Sequence, residues 1–105
     1  MAQLVWTEPA LLDLDEIAEY IVLDDPKAAR ELVQQVFLSV ERLEEHPKSG
    51  RKPPELKKLR YREIIVGPCR IFYREDSKRV FILHVMRSER KLRHYILSSR
   101  SENDS

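Results

Sequence analysis

The chain has 105 residues, of which 42% are hydrophobic, and its 19 basic and 18 acidic residues leave a net charge of +1. This length supports one domain with a modest core rather than two. One cysteine, Cys69, excludes an intramolecular disulfide, and the apolar runs are too short to span a membrane. We therefore expect a cytoplasmic protein with a single domain at residues 1–100 and a disordered acidic tail at residues 101–105.

The net charge of the chain is near zero because two oppositely charged halves nearly cancel. Residues 1–46 contain three basic and eleven acidic residues, a net charge of −8, whereas residues 47–100 contain sixteen basic and five acidic residues, a net charge of +11. A lobe this positive attracts an anionic partner whatever the total charge of the chain. Two classes of partner remain open, a nucleic acid and an acidic protein segment.

The first half predicts a short strand followed by a helical hairpin. Gln3–Trp6 is a β-type run, and Thr7 followed by Pro9 is typical of a helix N-terminus. Apolar residues then recur at steps of three and four up to Ile21, and again within Ala29–Leu43. Two amphipathic helices with a short link are expected to pack as an antiparallel hairpin.

The second half changes to a period of about two, which is the period of strands. Three strands fit, Leu59–Val66, Cys69–Glu75 and Val80–Met86, joined by two tight turns. Ser88 is a candidate N-cap of a last helix. The buried side of that helix would consist of Leu92, Tyr95 and Ile96. The order β-α-α-β-β-β-α predicts an α+β fold, an antiparallel meander sheet with a helical hairpin packed on one face.

Alternation along the strands assigns the charged side chains to one face of the sheet. In Cys69–Glu75 the apolar odd-numbered positions would face the helices, which turns Arg70 and Arg74 towards solvent. The helix-facing set of the next strand would be Phe81, Leu83 and Val85, and the open set Val80, Ile82, His84 and Met86. The resulting cationic face, which suits phosphates, would comprise Arg60, Arg62, Arg70, Phe72, Arg74 and His84, bordered by Lys57 and Lys58. Ion pairs with acidic residues are the alternative use of these arginines.

Several short segments together have the order and spacing of one protein family. They are Trp6–Ala10, Asp13–Leu14, Pro26–Ala29, His46–Arg51, Cys69–Arg74, Val80–Val85 and Arg87–Arg90. In these segments the chain resembles the RelE/ParE superfamily of bacterial type II toxins, from about Gln3 to Tyr95. The resemblance implies the fold predicted above and requires neither a metal nor an organic cofactor.

The resemblance implies two alternative activities. RelE-like members cleave messenger RNA on the ribosome, whereas ParE-like members bind DNA gyrase and inhibit it without chemistry of their own. A RelE-like endoribonuclease would use Arg70, His94 and Tyr95 as catalytic residues, because RNA cleavage needs proton transfer and cations around the phosphorus. The long amphipathic hairpin and the opening Trp6–Pro9 favour the ParE-like branch. A third alternative is a binding module that has lost toxicity.

The resemblance also implies a partner. A toxin of a plasmid-stabilisation (addiction) module is neutralised by a cognate antitoxin through an acidic or amphipathic C-terminal segment, in a higher-order complex. The residues expected to bind phosphate or this acidic partner are Lys57, Lys58, Arg60, Arg62, Arg70, Arg74, Arg87 and Arg90. We expect no metal site, since the three histidines and the one cysteine lack ligand spacing.

Overall fold

The computed structural model describes residues 1–103, except for the side chains of residues 94, 102 and 103. The helices are α1 (Glu8–Val22), α2 (Pro26–Glu41) and α3 (His94–Asn103). The strands are β1 (Gln3–Trp6), β2 (Tyr61–Val66), β3 (Cys69–Glu75) and β4 (Arg79–Arg87). The predicted α+β class and the predicted order β-α-α-β-β-β-α are confirmed.

The four strands form one sheet in the order β1-β4-β3-β2. Strands β2, β3 and β4 are the predicted antiparallel meander. Strand β1 lies parallel to β4 at the other end of the sheet, with Val5 opposite Phe81. Parallel neighbours need a long crossover connection, and the helical hairpin is the first part of that connection.

Helices α1 and α2 each begin with a capping side chain and an early proline, and α1 begins at the predicted Thr7–Pro9 signal. Thr7 Oγ1 accepts a hydrogen bond from the Ala10 N–H at 3.4 Å and donates one to the Ile82 carbonyl at 2.7 Å. Asp25 caps α2 by accepting from the Ala28 N–H at 3.1 Å. The Thr7 bonds attach the start of α1 directly to β4.

Helices α1 and α2 pack on one face of the sheet and form what we call the helix-side core. Its fully or nearly fully buried members are Ala10, Leu14, Leu32, Val36, Val40, Leu43, Val66, Cys69, Ile71, Tyr73, Val80, Ile82 and Val85. The alternation predicted for β3 is therefore right about its helix-facing residues. For β4 the prediction is wrong at Phe81 and Leu83, which face away from the helices.

A β-bulge in β4 determines which of its side chains face the helices. Phe72 pairs with His84 while the next residue, Tyr73, pairs with Ile82, so that Leu83 is an extra residue opposite β3. The residues on the helix side are consequently Val80, Ile82 and Val85, and those on the other face Phe81, Leu83 and Met86. Bulk alone could not identify the helix-facing set, because both faces of this strand are apolar and buried.

The face predicted to be open is covered by a second core. A 3-10 turn at Pro54–Leu56 and the C-terminal segment pack over it. The second-face core consists of Leu56, Tyr61, Phe72, Phe81, Leu83, Met86, Leu92 and Leu97. Leu92 and Leu97 supply the apolar cover that the meander lacks, so the sheet is sandwiched between two layers.

The last helix starts later than the sequence predicted. The Ser88 N–H donates to the Pro68 carbonyl at 2.8 Å, which extends the β3–β4 hairpin instead of capping a helix. Leu92 is buried ahead of the helix, as part of the loop. Tyr95, predicted to be buried, is 65% exposed, because the helix begins at His94 and Leu97 faces the core.

The last helix also continues further than predicted. Residues 101–103, assigned to a disordered tail, are helical, and Ser101 is buried. The preceding turn is held by Arg100, whose Nη1 donates to Asp13 on α1. Residues 104 and 105 of the predicted tail lie outside the described residues.

The loop between the two halves is fixed by one close approach. The Gly50 N–H donates to Tyr73 Oη at 2.9 Å, and Tyr73 Oη donates to the Pro47 carbonyl at 2.8 Å. A Cβ on Gly50 would lie 2.5 Å from Tyr73 Oη, so only glycine fits here without displacement. Burial also raises the pKa of the Tyr73 hydroxyl, which therefore remains a hydrogen-bond donor.

Candidate functional site

Arg70, the arginine that a RelE-like mechanism would use, is held between two carboxylates. Its Nε donates to Glu63 Oε1 at 2.6 Å, and its Nη1 and Nη2 donate to the two oxygens of Glu55 at 2.8 Å each. The Arg70 side chain is 10% exposed and that of Glu63 is fully buried. The hydrogen bonds to Glu55, and then those to Glu63, raise the pKa of the Arg70 guanidinium above its ordinary value.

This arrangement is a closed ion-pair network rather than an anion site. Arg51 Nε lies 2.9 Å from Glu63 Oε2, so two arginines face two glutamates. The Arg70 guanidinium also lies over the Phe72 ring, 4.8 Å from its centroid. Bidentate pairing occupies the donors that would hold a phosphate. A phosphate could bind Arg70 only by displacing Glu55.

Arg74 is buried as well. Its guanidinium lies 4.5 Å from the centroid of the Phe81 ring, and Nη1 is 3.9 Å from Asp76 Oδ2. The side chain is 5% exposed. Arg74 therefore belongs to the edge of the second-face core, and the prediction that it faces solvent is wrong.

Two further predicted cations are engaged within the protein. Arg62 lies on the helix side of β2, and its Nη1 donates to the Gly50 carbonyl at 2.9 Å. Arg87 places its guanidinium over the Tyr20 ring, 5.1 Å from the centroid, and its Nε lies 2.8 Å from Glu89 Oε1. Neither residue is a free surface charge.

His84 lies in a polar clamp between α1, β4 and α3. Asp13 Oδ2 is 2.7 Å from His84 Nδ1, accepts from the Val85 N–H at 3.1 Å and accepts from Arg100 Nη1 at 2.6 Å. Arg100 Nη1 also donates to the Leu83 carbonyl at 2.8 Å. Because the carboxylate can only accept, His84 Nδ1 is the donor, and this ring nitrogen is used by the fold.

The clamp controls the ionisation of Asp13. Burial alone would raise the pKa of Asp13, but hydrogen bonds from His84, Arg100 and the Val85 N–H outweigh it and lower that pKa below its ordinary value. A carboxylate with a lowered pKa in the folded state stabilises the fold above its unfolded pKa. That contribution is lost as the pH falls through the lowered value.

We expect Asp13→Asn to weaken the dependence of stability on acid. The wild-type free energy of unfolding should fall as the pH drops below about 4, and part of this fall should be absent from the variant. Urea unfolding followed by Trp6 fluorescence between pH 5 and pH 2.5 measures the difference. Asp15→Asn, on an exposed position of the same helix, should keep the wild-type pH dependence. Parallel curves for wild type and Asp13→Asn would contradict the prediction.

The predicted binding residues that remain on the surface lie in two short segments. Among the described residues, the predicted binding residues Lys57, Lys58, Arg60 and Arg90 are exposed and have no hydrogen bond, ion pair or ring contact through their side chains. Lys91 and Arg93, which the sequence analysis did not select, share this state. Their position next to Arg90 in the sequence could have identified them as part of the same cationic segment.

The proposed catalytic set is not assembled by the described side chains. Arg70 is closed off by Glu55 and Glu63, and Tyr95 is an exposed residue of α3. His94 lies at the start of α3, and its side chain is outside the described residues. The Arg70 guanidinium is therefore not free to bind a phosphate, and among the described side chains no further acid or base stands ready beside it to transfer a proton.

The outer side of the helical hairpin carries an apolar groove of about 440 Å³. Its floor consists of Ala18, Val22, Ala29 and Val33, with Glu19 and Arg30 on its rim. Val22 is 43% exposed, and Leu23 beside it is 80% exposed. An exposed apolar groove with charges on its rim is the surface expected for an amphipathic partner helix.

The described part of the chain contains neither a membrane-spanning helix nor a metal-binding cluster. None of its helices combines the length and the hydrophobicity needed to cross a lipid bilayer. Within the same residues, His, Cys, Asp and Glu side chains do not come together in a group of three or more that could hold a metal ion.

Comparison with known proteins identifies similar chains. The family model described as "ParE toxin of type II toxin-antitoxin system, parDE" matches residues 4–92. The chain is 42% identical over 86 residues to toxin Y4kP of Sinorhizobium fredii, covering 82% of this chain and 88% of that protein. It is 34% identical over 89 residues to Toxin RelE2 of Caulobacter vibrioides, covering 83% and 92%. A solved structure of the chromosomal ParDE TA system from P. aeruginosa is similar with a TM-score of 0.73 and 28% identity, covering 85% of this chain and 98% of that one.

Proposed function

The chain belongs to the ParE toxin family of type II toxin–antitoxin systems, and we propose that it acts in the cytoplasm by binding DNA gyrase directly, without chemistry of its own. The family implies an antitoxin as its partner. We propose that this antitoxin docks an amphipathic helix in the hairpin groove. The toxin would then be held inactive in a higher-order complex.

The state of Arg70 carries this proposal. An endoribonuclease needs a cation that can stabilise the charge developing on the phosphorus, and an arginine held by two carboxylates at 2.6–2.8 Å is already neutralised. His84 Nδ1 is likewise used by Asp13. These contacts favour inhibition through a binding surface over cleavage of messenger RNA.

The apolar groove supports the second part of the proposal. Two of its four floor residues come from α1 and two from α2. All four are small or β-branched, which lets a partner helix approach closely. The rim offers one acidic and one basic side chain, Glu19 and Arg30. A helix with an apolar stripe flanked by charges fits this surface.

The test is a supercoiling assay with purified gyrase. We expect dose-dependent inhibition, with stabilised cleavage complexes on the same gel, and full reversal when the cognate antitoxin is added in equimolar amount. A variant with a blocked groove, Val22→Glu, should inhibit gyrase like the wild type but resist reversal.

Two outcomes would overturn the proposal. Folded protein that leaves gyrase unaffected, while it cuts messenger RNA in a ribosome assay, would show a RelE-type endoribonuclease. Folded protein that affects neither target but binds the antitoxin would show a module without toxicity. In both cases circular dichroism must show that the protein is folded.

A further inference from the structure

A cavity of about 920 Å³ lies between α1, the C-terminal end of β4 and the segment that follows β4. We call it the cleft. Its apolar lining includes Ile17 of α1, Met86 of β4 and Ile96 of α3. Binding sites typically have volumes of about 300–1,000 Å³ and combine an apolar lining with a few polar groups at fixed positions. The cleft therefore has the size and the lining of a binding site.

One side of the cleft is cationic. Arg90, Lys91 and Arg93 are exposed, have no side-chain partner among the described residues, and all line this cavity. Exposed cations of the same kind occur elsewhere, for example at Arg30 and Arg42. What distinguishes the cleft is that three such cations within four sequence positions line one cavity, so their charges act together on a bound group.

The side of the cleft formed by α1 is acidic. Glu16 is exposed, whereas Asp13 is already held by His84 and Arg100 in the polar clamp. Four basic and two acidic residues line the cleft, so its net charge is positive. A nucleic acid would bring phosphates towards Glu16 as well, but a peptide can turn its carboxylates to the cationic side alone. The expected ligand is therefore an acidic peptide segment.

The edge of β4 is uncovered where it borders the cleft. Strand β1 pairs with Arg79–Ile82 only, so in the described part of the chain no strand lies beside Val85–Arg87 on that side. These three residues line the cleft, and Asp13 occupies the Val85 N–H. A segment that lies along a strand edge is extended.

His84 places one polar group in the cleft. Its Nδ1 donates to Asp13 at 2.7 Å, and its Nε2 has no hydrogen bond among the described residues. In a neutral ring whose Nδ1 carries the proton, Nε2 is an acceptor. His84 is 9% exposed and lines the cleft, so this acceptor is available to a main-chain N–H of a bound segment.

From the apolar lining, the cationic side and the uncovered strand edge we propose that the cleft binds an extended acidic segment of gyrase that carries an apolar side chain. The inference rests on the proposed function, because it names the surface by which the toxin binds its target. The apolar side chain would contact Ile17 and Ile96, and the carboxylates would pair with the cationic side.

The cleft and the apolar groove lie on different sides of α1. Ile17 and Tyr20 line the cleft, whereas Ala18 and Val22 line the groove. Steps of three and four residues keep the members of each pair on one side of a helix. An antitoxin helix in the groove would thus lie next to the cleft and crowd the target segment, while Val22→Glu should leave gyrase binding unchanged.

The first test measures binding to DNA-free gyrase by surface plasmon resonance. Ile96→Glu places a carboxylate in the cleft and should weaken binding by about thirtyfold or more, the usual effect of losing a central contact. Ile96 is half-buried and belongs to neither core, so the fold should tolerate the change, which circular dichroism checks. Ser99→Glu adds the same charge at an exposed position of α3 outside the cleft and should bind like the wild type.

A second variant tests the cationic side of the cleft. Arg90→Gln/Lys91→Gln/Arg93→Gln should slow association with gyrase by about tenfold and weaken the dependence of the association rate on salt.

Its control carries the same charge change elsewhere. Arg42→Gln/Lys48→Gln/Lys78→Gln removes three exposed charges outside the cleft and should stay close to the wild-type rate. Equal losses in the two triple variants would overturn the proposal, because association would then follow net charge alone.

Carbodiimide coupling tests the chemistry of the bound segment. The reagent joins an amine to a carboxylate that it contacts, so Lys91 should couple to an aspartate or glutamate of gyrase. Lys48, which lies outside the cleft, should not couple. Mass spectrometry of the digested conjugate locates the link. Coupling spread equally over the exposed lysines would overturn the proposal.

These outcomes separate the inference from the proposed function. If wild type and both cleft variants bind gyrase equally, the inference fails and the proposed function stands. If folded wild-type protein does not bind gyrase at all, both fail. If the cleft variants lose affinity only for gyrase that carries DNA, the cations contact DNA and the inference fails.

Discussion

Arg70→Met is expected to lower the free energy of unfolding by about 3–5 kcal/mol, the usual cost of removing one partner of a buried ion pair. The change leaves Glu63, which is fully buried, with Arg51 as its remaining cationic partner. Small domains have a total stability of about 5–15 kcal/mol, so much of it would be lost. Urea unfolding followed by Trp6 fluorescence measures the change.

Two further variants make the Arg70 test specific. Arg60→Met removes an exposed arginine without a partner among the described residues, and it should change stability by no more than about 0.5 kcal/mol. Arg70→Met/Glu63→Leu removes both buried charges and should be more stable than Arg70→Met alone. Wild-type stability in Arg70→Met, together with a loss of RNA cleavage by about 100-fold, would instead assign Arg70 to catalysis.

Val22→Glu is expected to weaken antitoxin binding by about thirtyfold or more. A carboxylate in the centre of an apolar interface loses its water without gaining a partner, and residues at such positions typically account for 2 kcal/mol or more. Because Val22 is 43% exposed in the free toxin, the fold itself should tolerate the change. Isothermal titration calorimetry with the purified antitoxin measures the affinity.

Leu23→Glu is the matched control for this prediction. Leu23 follows Val22 directly and is 80% exposed, but it does not line the groove. Both changes place the same charge at the C-terminal end of α1, so any effect on the helix is shared. Similar affinities for the two variants would show that the antitoxin binds elsewhere.

The periodicity of the sequence was sufficient to predict the element order and most boundaries. The strand Cys69–Glu75 was predicted at its observed bounds because turn residues stand on both sides of it, and Gln3–Trp6 because the capping residue Thr7 follows it. The start of α3 was not predicted, since the role of Ser88 depends on a contact with Pro68. A local pattern cannot show whether a serine N–H pairs with a distant carbonyl.

The prediction of an open cationic face failed for a related reason. Alternation divides a strand into two faces but does not show which segments cover each face. Here Leu56, Leu92 and Leu97 cover the second face. Glu63 is fully buried, and a buried glutamate needs a cationic partner, which Arg70 and Arg51 supply here.

The carboxylates at the candidate site could not be located from sequence spacing. Asp13 and His84 are 71 positions apart, and Glu55 and Arg70 are 15 apart in different elements. Most acidic residues of α1 occupy its solvated face, and the helical spacing alone would place Asp13 there too. The structure places it at the edge of that face, where it holds three elements together.

The parallel pairing of β1 with β4 has a consequence for the order in which the protein acquires its surfaces during synthesis. Strand β1 leaves the ribosome first, but its partner strand is made more than seventy residues later, so the sheet closes late. The two helices of the apolar groove are complete before strands β2, β3 and β4 have been translated. A nascent toxin therefore exposes the groove proposed to bind the antitoxin before its sheet can close.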